Sequence, residues 1–393
     1  MATSKLFQEL LGKLPTELFF KNYWGKNWLH LKKEQSPNQH FPISIELLNT
    51  FFTDARLRYP WVKLVNKGSE IPIKEYRNDK LSQLTDIIDN NKLFEHLNKG
   101  ATIIANSIDK NNGPIGIYCR ELEKELSVKV WANLYISPPE SRGFGIHQDI
   151  HDVIVVQLAG KKNWHIYPRE VNNGPRTPGP NDIPEAEFQL RENELVYLPK
   201  NYPHMAYATG NSPSVHLSLG FEGLFWSDLV KHFAKQANED IDFQKRVPIP
   251  LEGEEAYNTF LKSFQEKWAS FNLSNHPLDH VENLNTATYH QQTSQNESRL
   301  SDWLGSNQIS SETVLRKSKY IAHQLNKQGK TIHLLFHNKK LIFPIFIAPL
   351  LDQLLQEEPY KLSEIDTQQN NQEKISLAKK LLQEGLLTIV DYK

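Results

Sequence analysis

Gly145-Ile146-His147-Gln148-Asp149-Ile150-His151-Asp152 runs directly into the apolar stretch Val153-Ile154-Val155-Val156-Gln157-Leu158. Side chains of an extended chain alternate between two faces, so His147 and Asp149 project to the same side. An imidazole and a carboxylate side by side supply two of the three groups of a facial 2-His-1-carboxylate metal site. The third has to arrive from another strand, and two downstream histidines can bring it. His204 follows His147 by 57 residues, after the Pro-bounded turn in Tyr197-Leu198-Pro199-Lys200-Asn201-Tyr202-Pro203. His216 lies mid-strand, on the face opposite Val215, Leu217 and Leu219. His151 continues the alternation and is a rival ligand. The chain has 15 histidines, so His-x-Asp alone does not define a site and the surrounding pattern must decide.

Outward from this stretch the pattern is that of a β-rich centre. Val128 to Ile136 alternates as a strand, and Pro138-Pro139 with Gly143 and Gly145 marks a loop. Further strand signals fall at 151–158, 164–167, 195–198 and 214–221, while the Gly- and Pro-rich Asn172 to Pro184 reads as a loop. Short strands at this spacing predict a sandwich or barrel. Upstream, helices are expected over residues 5–20 with a break at Pro15, over Ser44–Phe52, Leu81–Leu97 and Ile115–Leu126. Tyr59–Tyr76 reads as extended and Ala101–Ala105 as an apolar strand, and the aromatic-rich residues 19–31 read as a packing segment.

After about residue 222 the texture changes. Leu224–Ala237 and Tyr257–Phe271 are expected to be helical, and 272–300 is polar. A helix is expected over Ser311–Lys327, then a hairpin from Thr331–Phe336 through His337-Asn338-Lys339-Lys340 into Leu341–Phe343. Helices over Ile345–Gln356 and Ser376–Gly385 and a strand over Leu386–Tyr392 complete a pattern that resembles a winged helix.

Composition bounds the function classes. The 393 residues are 39% hydrophobic and 23% charged with formal net charge −1, the profile of a globular protein of two or three domains. That balance argues against a nucleic-acid backbone as the main partner. Cys119 is the single cysteine, which excludes an intrachain disulfide and a zinc site built on several thiolates. The start, Met-Ala-Thr-Ser-Lys-Leu-Phe-Gln-Glu-Leu, carries no signal-peptide pattern. No stretch approaches the roughly 18 apolar residues of a membrane span. The expected compartment is a reducing cytoplasm.

Taken in order, these motifs resemble the JmjC-type cupin oxygenases of the ribosomal oxygenase group. The resemblance is carried by His147-Gln148-Asp149 with Gln157-Leu158-Ala159-Gly160-Lys161-Lys162-Asn163-Trp164, by the upstream Asn133-Leu134-Tyr135-Ile136-Ser137-Pro138-Pro139, and by Leu195-Val196-Tyr197-Leu198-Pro199 with Pro203-His204. Phe20, Tyr23-Trp24-Gly25-Lys26 match a segment that precedes the barrel in that family. The chain departs from the family at two turns. Asn193-Glu194 stands where Gly-Asp is common, and Asn201 replaces a Gly near the distal His. Asn tolerates the left-handed conformation such turns need.

The resemblance implies an α+β chain: a double-stranded β-helix (cupin, jelly-roll, JmjC) catalytic domain over 1–223, a helical dimerisation region over 224–308 and a winged-helix-like domain over 309–393. It implies an Fe(II)- and 2-oxoglutarate-dependent dioxygenase that hydroxylates a side chain of a protein or peptide, a ribosomal protein or a precursor peptide being the candidates, consuming O2 and releasing succinate and CO2. His147, Asp149 and His204 would hold the iron. Lys162 would take the far carboxylate of 2-oxoglutarate, with Tyr135, Asn133 and Ser218 lining the same pocket. His151 and His216 are then expected to support the ligands or packing rather than bind metal. A homodimer without membrane or direct nucleic-acid binding is expected. The competing reading is a non-catalytic cupin scaffold that binds a protein or nucleic-acid partner through its winged-helix end.

Overall fold

The computed structural model describes residues 5–35, 44–54, 57–79, 86–110, 113–169, 178–179, 182–223, 225–273, 299–318, 321, 323–336 and 339–390. The hairpin turn at His337-Asn338, most of the Asn172–Pro184 loop, most of 272–300 and Tyr392 lie outside them. The chain divides into two compact units, Met1–Gly223 and Leu224–Lys393.

The first unit holds eleven described strands: β1 Leu29–Leu31, β2 Val62–Asn66, β3 Ser69–Glu70, β4 Thr102–Ala105, β5 Lys129–Ser137, β6 Asp152–Ala159, β7 Lys161–Ile166, β8 Ala186–Arg191, β9 Leu195–Leu198, β10 His204–Ala208 and β11 Ser214–Glu222. They form an eight-stranded sheet in the order β1-β9-β6-β11-β5-β4-β2-β3 and a three-stranded sheet in the order β10-β7-β8. All pairings are antiparallel, as a jelly roll requires.

Period-2 alternation assigns the two faces of the large sheet. Val130, Ala132 and Leu134 of β5, Ile154 and Val156 of β6, and Leu217, Leu219 and Phe221 of β11 are buried in one core with Phe7, Phe19, Leu93, Ile115 and Leu122 from the N-terminal helices. Each of these side chains other than Ala132 contributes about 1.5–3 kcal/mol through removal from water. The other face carries Val153, Val155, Val196 and Leu198, which share a second, smaller core with Trp164, Ile166 and Leu190 of the three-stranded sheet. Strands β6 and β9 therefore feed both cores, which explains the nearly unbroken apolar run of each. Two glycines permit this packing. Gly220 faces the Trp131 indole so closely that an added Cβ would lie 2.3 Å from it. Gly160 turns β6 into β7 at φ +66°, against the Pro213 carbonyl.

Helix Gly113–Leu126 is tied to β5 by buried charges. Arg120 bonds the Val130 carbonyl at 2.6 Å and pairs with Asp109 and Glu123, whose carboxylates accept the backbone N–H groups of Ala132 and Val130. Burial outweighs the nearby guanidinium and pushes the Glu123 carboxyl up to about 7.

In the second unit, helices Trp226–Glu239 and Glu254–Leu273 match the expected positions. The described residues of 311–327 do not form the expected helix. They give β12 Val314–Lys317 and β13 Gln324–Gln328. β13 pairs with β14 Thr331–Phe336, which continues the hairpin to β15 Lys339–Pro344. β12 sits between β16 Tyr360–Lys361 and β17 Leu387–Ile389. Those partners are distant in sequence, so local periodicity held no trace of them. Helices Ala348–Leu354 and Asn371–Glu384 bury Leu350, Leu351, Leu381 and Leu382 against Leu315 and Leu334. The described Leu387–Ile389 lies within the strand expected at the end.

Candidate metal centre

His147, Asp149 and His204 converge so that one ligand atom from each lies within 4.8 Å of the others. His204 Nε2 is 3.7 Å from Asp149 Oδ2. Among the described residues no other three His, Cys, Asp or Glu side chains come together in this way.

Backbone pairing rather than a continuous strand sets this geometry. His147 and His204 exchange reciprocal N–H···O bonds of 3.0 and 2.8 Å, and the Asn201 N–H donates to the Asp149 carbonyl at 2.7 Å. Strand β6 begins only at Asp152, so the alternation of His147 and Asp149 belongs to a bridged segment beside the sheet. Asn201 makes its bond from φ +59°, and Asn193 adopts φ +64°, so both departures from glycine keep the left-handed turn. Asp152 anchors the same corner by accepting from the Lys200 N–H at 2.6 Å and the Tyr197 hydroxyl at 2.9 Å. Tyr197 in turn accepts from the Gly25 N–H at 2.7 Å and stacks on Trp24, which gives the early Trp24-Gly25 motif a structural role beneath the site.

The donor set fits a divalent metal. His147 Nδ1 lies 3.0 Å from the Gly145 carbonyl and His204 Nδ1 lies 2.9 Å from the Tyr202 carbonyl. Both imidazoles thus carry their hydrogen on Nδ1 and leave the Nε2 lone pair for a metal. Burial, reinforced by His147, pushes His204 down to about 4, so it is neutral as a ligand must be. The Asp149 side chain keeps 31% of its surface exposed against 6% for His204, which places the cluster at the boundary of interior and solvent.

The three side chains open into a cavity of about 540 Å³, counting its mouth, that lies between the two sheets. Lys162 of β7 reaches it with only 4% exposure. Burial pushes its ammonium down to about 7, and among the described residues no carboxylate offsets this. Tyr135 of β5 and Ser218 of β11 also line the cavity. Asn133 does not line it: its Oδ1 accepts the Ser107 N–H at 2.9 Å and its side chain reaches the Tyr135 hydroxyl, so it acts one step behind Tyr135.

His216 lines the cavity rather than joining the ligand cluster. Its ring lies parallel to Tyr135, with centroids 4.7 Å apart and planes 6° apart. His151 is outside the cluster and meets the Trp131 ring edge-on at 4.6 Å. Sequence reasoning missed several lining residues: Thr102, Phe144, Val153, Val155, Trp164 and Ala206. Trp164 stacks on His204 at 5.7 Å, and the alternation Lys162, Trp164 on β7 was the available signal.

Residues 117–229 match the JmjC domain family. The bifunctional lysine-specific demethylase and histidyl-hydroxylase NO66 of Dictyostelium discoideum is 24% identical over 257 residues, 61% of this chain and 48% of that protein. Ribosomal oxygenase 1 of Danio rerio is 24% identical over 264 residues, 63% of this chain and 47% of that protein. The chain thus spans about half or less of these curated relatives. The crystal structure of Escherichia coli ribosomal oxygenase YcfD superposes with a TM-score of 0.57 at 15% identity, covering 96% of this chain and 98% of that one. A structure of YcfD in complex with cobalt and 2-oxoglutarate gives 0.55 at 16% identity, over 96% and 99% of the two chains. Residues 117–229 are thus similar to the JmjC domain, and the cupin-like sheets of the chain are similar in fold to those of a ribosomal oxygenase.

Proposed function

We propose that the chain is an Fe(II)- and 2-oxoglutarate-dependent dioxygenase that hydroxylates a side chain of a protein or peptide. The observation that carries this reading is one cavity with a His147/Asp149/His204 cluster and a buried, acid-free Lys162. Such a cavity suits a metal and a ligand with two anionic ends. When bound, the iron would activate O2 while 2-oxoglutarate is decarboxylated to succinate and CO2.

The chain's own residues supply binding and orientation. His147, Asp149 and His204 hold the metal, and the Gly145 and Tyr202 carbonyls fix the direction of the two imidazoles. Lys162 anchors the far carboxylate, aided by Tyr135 and Ser218 on the facing strands, while Asn133 orients the Tyr135 hydroxyl. Burying this ion pair in a low-dielectric wall favours a dianionic cosubstrate over a neutral one. Val153, Val155 and Trp164 exclude water from the inner walls.

The domain scheme follows the same reading: a catalytic domain over 1–223, a helical region over 224–308 through which two copies associate, and a winged-helix-like domain over 309–393 in a cytoplasmic protein. Trp226, Val230 and Leu251 are exposed apolar side chains in the helical region, which supports coverage by a second copy. The curated relatives' names point to protein substrates, a ribosomal protein among the possible ones.

Purified protein supplied with Fe(II), ascorbate, 2-oxoglutarate and cell extract is expected to form succinate and to add one oxygen atom to a protein found by mass spectrometry. His147→Ala is expected to abolish both. Absence of succinate together with absence of metal binding overturns the reading.

A further inference from the structure

The inner end of the cavity contains a group that the proposed chemistry has not used. His216 is 5% exposed, and its Nδ1 is sealed from solvent without a hydrogen-bond partner. Buried polar atoms are normally paired, and an unpaired one at a cavity wall points to a ligand. The neighbouring Trp164 indole N–H is unpaired and sealed as well, and its ring meets His216 edge-on at 6.4 Å.

The position of His216 is rigidly specified. β11 lies between β5 and β6, with His216 opposite Tyr135 on one side and Gln157 on the other. A register irregularity between Val215 and His216 fixes where the imidazole leaves the strand. The parallel contact with Tyr135 sets the ring plane. Lys162 is close enough for its charge to act on His216, and both line the same cavity. An imidazole with an unpaired Nδ1 beside an ammonium on which no carboxylate of the described residues acts forms a surface for an anion.

Resting on the dioxygenase reading, we propose that His216 is a specificity residue: it donates a hydrogen bond to the far carboxylate of the cosubstrate beside Lys162. Lys162 supplies charge from a flexible stem, whereas the stacked imidazole supplies direction. The pair therefore selects a 2-oxo diacid over a 2-oxo monoacid of similar length.

The test uses the full chain loaded with redox-inert Zn(II), so that binding is read by calorimetry without turnover. His216→Phe keeps a flat ring against Tyr135 and removes the donor, while His216→Gln keeps a donor and removes the ring. His216→Phe is expected to weaken 2-oxoglutarate about tenfold, in line with loss of one hydrogen bond to a charged group. His216→Gln should restore most of that affinity. Binding of 2-oxobutanoate, which lacks the far carboxylate, and of Zn(II) should be unchanged in both. In the wild-type protein, 2-oxoglutarate but not 2-oxobutanoate should shift the His216 imidazole 1H–15N resonance, a readout that survives if a variant fails to fold.

Unaltered 2-oxoglutarate affinity in His216→Phe, equal losses for both oxo acids, or an unmoved resonance overturns the assignment while leaving the dioxygenase reading in place. Wild-type Zn(II) protein that binds no 2-oxoglutarate removes the dioxygenase reading itself.

Discussion

The two ends of the cavity are built differently. At the outer end, His147 and Asp149 sit on a bridged segment outside the strands, held by backbone bonds to His204 and Asn201, and Asp149 is partly open to solvent. At the inner end, Lys162, Tyr135, His216 and Ser218 stand on strands β7, β5 and β11, within hydrogen-bonded sheets. A metal supplies its own directional bonds, so its ligands need only short, adjustable carriers. An organic anion supplies none, so its site must be preorganised by rigid strands. The contrast predicts that substitutions at the outer end abolish metal binding, whereas those at the inner end grade the affinity for an anion.

The largest expected effect is at the outer end. Asp149→Ala should abolish Zn(II) binding and with it the ligand-induced rise in melting temperature, a loss beyond the 10–100-fold that removal of an outer-shell partner costs. Retained metal affinity would assign the ligand role elsewhere, His151 being the rival that the alternation of the sequence offers.

Next in size, Lys162→Met should weaken 2-oxoglutarate by about 3 kcal/mol, roughly a hundredfold, with metal affinity unchanged. Equal losses of both would mean that the two ends are one folding unit. The same residue gives a pH signature. Burial lowers the Lys162 ammonium to about 7, so the free protein loses the cation as pH rises through that value. Binding needs the cation, so affinity should be steady below pH 7 and fall about tenfold per pH unit above it. Calorimetry across pH 6–9 measures this, and Lys162→Arg, which stays charged, should flatten the profile.

Smaller effects come from the frame that holds the two ends together. Gly220→Ala drives a Cβ to 2.3 Å from the Trp131 indole and should cost about 1–3 kcal/mol of stability, read in urea, because the strand behind His216 must shift. Asn201→Val, at φ +59°, should cost about 1–2 kcal/mol and loosen the Asp149 anchor, while Asn201→Gly should be nearly neutral.

The two ends also differed in how far sequence revealed them. The outer end was legible because imidazole and carboxylate are chemically distinctive and His147 and Asp149 stand two residues apart in the chain. Choosing His204 over His216 required the resemblance to known proteins, since both histidines sit at strand positions that alternation alone cannot separate. The inner end was legible only where a charge stood out, at Lys162. Trp164, Val153 and Val155 looked like ordinary core residues, and Asn133 proved to support Tyr135 rather than face the cavity. Strands β8 and β10 carry weak alternation in Ala186–Arg191 and His204–Ala208, and their existence depends on pairing with β7. The same physics explains Val314–Lys317, where the expected helix yielded to strand partners supplied by distant segments, whereas Gln324–Gln328 pairs with the strand that directly follows it.

The most direct test of a single cavity with a metal at one end and an anion anchor at the other is a calorimetric titration of 2-oxoglutarate into Zn(II)-loaded and metal-free protein. One ligand per chain, bound tightly with metal, weakly without it, and weakly in Lys162→Met, is the predicted result. Equal affinity with and without metal, or affinity indifferent to Lys162, would contradict it.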